Sequence, residues 1–129
     1  MQSFNPQDLH QVAFNQGREA IEAAYEKARR KGLRNPVVLM LDLRDDKARE
    51  IMEIIGGGPK ADDQCAEAER RGVEPRCYMH LAGDDAAKLL ARIPGIPDVS
   101  DQIREPPPGC FYTVLLVAGA MSLAPTPFP

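Results

Sequence analysis

The chain has 129 residues, 43% apolar and 27% charged side chains and a net charge of −3, the size and balance of one folded domain with one core. This excludes a disordered chain, and the mild acidity argues against a nucleic-acid partner. Cys65, Cys77 and Cys110 are odd in number, widely spaced and form no Cys-x-x-Cys pair, so neither a disulfide framework nor a zinc site is indicated.

Asn5-Pro6-Gln7-Asp8 joins an N-cap residue, a proline at the first helical position and a first-turn acid, so a long helix is expected from Pro6. Ile21, Ala24, Tyr25 and Ala28 carry its apolar face to a stop at Gly32, with a bend expected at Gly17. Arg29, Arg30, Lys31 and Arg34 cluster at its end near Glu22 and Glu26, and read as a solvated face complementing the helix dipole.

Val37 to Leu43 is a nearly continuous apolar run, the pattern of a strand covered on both faces. Asp45 caps the next expected helix, whose Ala48, Ile51, Met52 and Ile55 share a face and which Gly56 ends. Residues 60–71 read as a surface helix with only alanines and Cys65 on its apolar side, stopped by Gly72. Residues 76–82 form a second strand, and Asp84 or Asp85 caps a helix through Leu89, Leu90 and Ile93.

A shift of 39 residues lays Pro36 on Pro75, Met40 on Met79, Asp45-Asp46 on Asp84-Asp85 and Ile54 on Ile93, which suggests a helix-strand-helix unit used twice. Unit one covers 6–56 and unit two 59–94. Five prolines between Pro94 and Pro108 mark residues 94–109 as a stiff linker. No charged residue follows, and residues 111–118 read as a third, buried strand ahead of a proline-spaced tail. That run is short for a membrane span of about 20 residues.

The expected fold is therefore a small single α/β domain of about three strands, the first two parallel, with four helices. Ligands of parallel α/β sheets gather beyond the carboxyl ends of the strands, so Asp42, Arg44, His80, Gly83 and Ser122 are expected on one rim. There Asp42 orienting His80 would make an acid–base pair, with Arg44, Gly83 and Ser122 as ligand contacts. No metal site, cofactor, nucleotide loop or nucleophile elbow is indicated.

The features that form surface outnumber those that make chemistry. The reading is a non-catalytic binding or regulatory module acting through protein contacts, with a small Asp42–His80 enzyme as the alternative. Self-association through the uncharged C-terminal segment is expected, as are a cytoplasmic location and the absence of membrane and nucleic-acid partners.

Overall fold

The computed structural model describes residues 6–117 and 119–129, with side chains from His10 onward. Asn5, the expected cap, and Ala118, the expected end of the third strand, lie outside the described residues. The elements in chain order are α1 (Pro6–Arg30), β1 (Val37–Asp42), α2 (Asp46–Ile54), α3 (Gly58–Arg71), β2 (Arg76–Leu81), α4 (Gly83–Ala91), α5 (Ser100–Arg104), β3 (Cys110–Val117) and β4 (Ala120–Pro127). The four strands form one mixed sheet in the order β2-β1-β3-β4.

All six β1 residues are buried, as a central strand covered on both faces requires. Val38 and Met40 face α1, which meets them with Ala13, Ile21, Ala24 and Tyr25. Val37, Leu39 and Leu41 face the opposite layer, where Ile51, Met52, Leu90 and Ile103 complete the main core. Each such side chain contributes about 1.5–3 kcal/mol of burial, so the three layers hold together mainly through β1 and its neighbour β3. Tyr25 stacks on Phe111 with ring centroids 4.3 Å apart.

The α1 helix runs unbroken across Gly17. A Cβ there would come within 2.7 Å of the Tyr78 hydroxyl, so Gly17 permits close approach of helix to sheet and does not bend the helix.

The first two strands are antiparallel, Val37 pairing with Leu81 and Asp42 with Arg76, which corrects the expected parallel pair. The reason lies in the connection. One helix carries a chain to the far end of a sheet, whereas two in succession bring it back to the end it left. The α2–α3 connection returns β2 to the end where β1 finished, with Leu43 N–H donating to Pro75 O at 2.8 Å. The α4–α5 connection does the same at the other end, so β3 runs parallel to β1.

Two further corrections concern the proline-rich parts. The stretch read as a stiff linker contains α5, which buries Ile103 completely. The tail forms an antiparallel hairpin with β3, making β4 a fourth strand. Phe128 N–H donates to Gly109 O at 3.0 Å, so even-numbered β4 residues turn their N–H groups inward. Pro125 and Pro127 therefore stand at outward positions, where a missing N–H costs the sheet nothing.

Candidate functional site

At the end of the sheet where β1 finishes, Asp42, Arg44, Asp45, Glu74, Arg76, Val117 and Gly119 line an open cavity of about 410 Å³. Asp42 closes β1 with its side chain only 8% exposed. Arg44 folds back on it, donating from its backbone N–H at 3.0 Å, from Nε at 3.1 Å and from Nη2 at 2.9 Å. The same guanidinium also pairs with Glu74. Burial pushes the Asp42 carboxyl up, but the Arg44 hydrogen bonds, with the Arg44 and Arg76 charges, outweigh it and hold the group below its ordinary range. Its hydrogen bond to Asp42 raises the Arg44 pKa further.

Asp45 is equally committed. Its Oδ1 accepts from Lys47 N at 2.9 Å and Ala48 N at 3.3 Å, capping α2, while Oδ2 accepts from Gly119 N at 2.6 Å and ties the cap to the β3–β4 turn. Arg76 donates to Gln16 at 3.1 Å and keeps its Nε buried without a protein partner. This rim is a self-neutralising network whose acids are spent on caps and ion pairs.

His80 stands at the other end of the sheet. In the register it pairs with Val38, four residues from Asp42 along β1 and thus about 13 Å away. The expected single rim is therefore two, because β2 runs backwards. His80 Nε2 lies 3.1 Å from Lys31 Nζ, an arrangement in which a neutral imidazole accepts from the ammonium. Burial, then the Lys31 and Lys27 charges, push the His80 pKa down.

Near that end a second open cavity of about 520 Å³ is lined by residues that include Arg34, Asn35, Gly83, Asp84 and Arg104. Gly83 is there for packing: a Cβ would meet Asn35 O at 3.0 Å and Ile103 O at 3.3 Å. No protein-family model, curated protein or solved structure matches the chain.

Ser122 lies within β4, not beyond a strand end, and its Oγ is hydrogen-bonded to His10 Nδ1 of α1. This pair joins residues 112 positions apart, and nothing in the local sequence signals it. Burial lowers the His10 pKa. The Cys77 thiol is pushed up by burial, against a smaller opposing effect of Lys60, which suits an inert side chain and not a nucleophile. Among the described residues no group of three or more His, Cys, Asp or Glu is placed to hold a metal ion, and no helix is long and apolar enough to cross a membrane.

Proposed function

We propose that the chain is a non-catalytic binding or regulatory module that works through protein–protein contacts and self-associates. The observation that carries this reading is the commitment of the strand-end acids. Asp42 accepts three hydrogen bonds from Arg44, and Asp45 caps α2 and holds Gly119, so neither carboxylate is available to a substrate. The acid–base alternative loses its pair, since Asp42 and His80 finish at opposite ends of the sheet.

Self-association is assigned to the outer side of the uncharged C-terminal segment. Met121 and Leu123 of β4 are half-buried, and Phe128 is 50% exposed while stacking on Tyr25 at a centroid distance of 5.4 Å. Apolar area of this kind at a domain edge suits a contact with a second copy. Light scattering at micromolar concentration tests it. A mass above the 14.2 kDa of one chain, reduced to that value by Phe128→Ser, is the expected result. A full-length chain that is monomeric overturns the assembly.

A further inference from the structure

The edge opposite β4 points to a second contact, which rests on the binding-module reading and names a partner for it. Because Pro75 O accepts from Leu43 N, the odd-numbered residues of β2 turn toward β1, and the backbone N–H and C=O groups of Tyr78 and His80 project from the edge. No strand lies beyond β2 among the described residues, and all six of its residues are only half-buried. Proline seals the β4 edge at Pro125 and Pro127, whereas β2 carries no such block.

Charge decides what the β2 edge suits. His80 sits beside Lys31 and Lys27 on the α1 side, Arg76 begins the strand, and Lys60 acts on Cys77 from the α3 side. Among the described residues Lys27, Lys31, Lys60 and Arg76 form no salt bridge, while the nearby acids Asp42 and Glu74 are both taken by Arg44. A second copy fits poorly. A two-fold joining β2 to β2 would set Arg76 and Lys31 of one chain against the same cations of the other.

We propose that the β2 edge captures an extended acidic segment of a partner protein by strand addition. The open Tyr78 and His80 backbone groups would form the ladder, and carboxylates on alternate residues would meet Lys27, Lys31 and Arg76. Main-chain bonding supplies affinity, and the flanking charge supplies selectivity.

The probe is an eight-residue peptide alternating Glu with Val, compared with its Lys-for-Glu counterpart by fluorescence anisotropy and by amide exchange at Tyr78 and His80. The Glu peptide should bind and slow exchange at both amides, and the Lys peptide should not. Lys31→Glu, at an exposed position, should weaken binding about tenfold. His80→Pro removes an outward N–H that β1 does not use and should weaken it by at least about as much. Equal binding of the two peptides, unchanged affinity in both variants, or no binding at millimolar peptide overturns the proposal. Concentration-dependent protection of Tyr78 and His80 without peptide also overturns it, by giving the edge to a second copy. Light scattering reads self-association separately, so failure here is distinguishable from failure of the module reading.

Discussion

At the β1–α2 corner Asp45 stands outside the helix with extended backbone, and its carboxylate accepts the N–H groups of Lys47, Ala48 and Gly119. At the β2–α4 corner the helix begins at Gly83, Ala82 holds the cap position without a side-chain bond, and Asp84 and Asp85 fall in the first turn. Both corners join a strand to a helix through a pair of aspartates, yet only one pair supplies a cap. The difference comes from Gly83. With no Cβ, it lets the backbone close against Asn35 O and Ile103 O, and the helix starts two residues earlier than an Asp84 cap would set it, by the rule Asp45 follows. The aspartates then act only as exposed charges near the helix dipole.

Substitutions at the two corners can break this contrast. Asp45→Ala removes the α2 cap and leaves Gly119 N–H without its acceptor, and should cost about 3 kcal/mol, the sum of a cap and a partly buried hydrogen bond. Gly83→Ala places a methyl against two backbone oxygens that cannot rotate away, and should cost about 2 kcal/mol. Asp84→Ala removes a first-turn charge and an exposed bond to Arg104, and should cost about 0.5 kcal/mol or less. Urea denaturation of the three variants checks the order. An Asp84→Ala loss equal to that of Asp45→Ala would make the corners equivalent and rule out this account of Gly83.

Local features were legible because they depend on neighbours in sequence. The Asp45 cap, the Gly72 stop in left-handed backbone at φ 67° and the fully buried run of β1 all follow from short stretches. Strand direction was missed although both helices between the first two strands were legible, because the apolar run of β1 matches a parallel strand while the even number of connecting helices, which returns β2 to the end where β1 finished, is the feature that decides; α5, with a single buried apolar residue among prolines, left no such signal. Prolines bar a central strand, but an edge strand tolerates them at outward positions, and β4 uses two. The candidate site depended on strand direction, so Asp42 and His80 moved apart once β2 reversed. The His10–Ser122 pair joins the helix nearest the N-terminus to the last strand, beyond the reach of any periodicity.

The smallest expected effect separates the two ends of the sheet by pH. Both Asp42 and His80 have lowered pKa values, but the stability they affect is lost in different windows. At His80, burial and the Lys31 and Lys27 charges disfavour the imidazolium in the folded chain, so the unfolded chain binds more protons between the folded pKa and the ordinary value of 6.5. Stability should therefore fall as pH drops from 6.5 through the folded pKa, and this contribution levels off below it. At Asp42, Arg44 favours the carboxylate in the folded chain, so its contribution is present above the ordinary value of 3.8 and is lost as pH falls below it through the folded pKa. The His10 pKa is lowered too, by burial alone, so its contribution falls in the same direction. Lys31→Gln distinguishes them, because it removes a charge that acts on His80. Melting temperatures between pH 8 and 5 should fall less steeply in Lys31→Gln than in the native chain, while the acid limb below pH 4 should be the same in both. Parallel curves from pH 8 to 5 would leave the Lys31–His80 contact without a role in stability and the window to the burial of the two histidines.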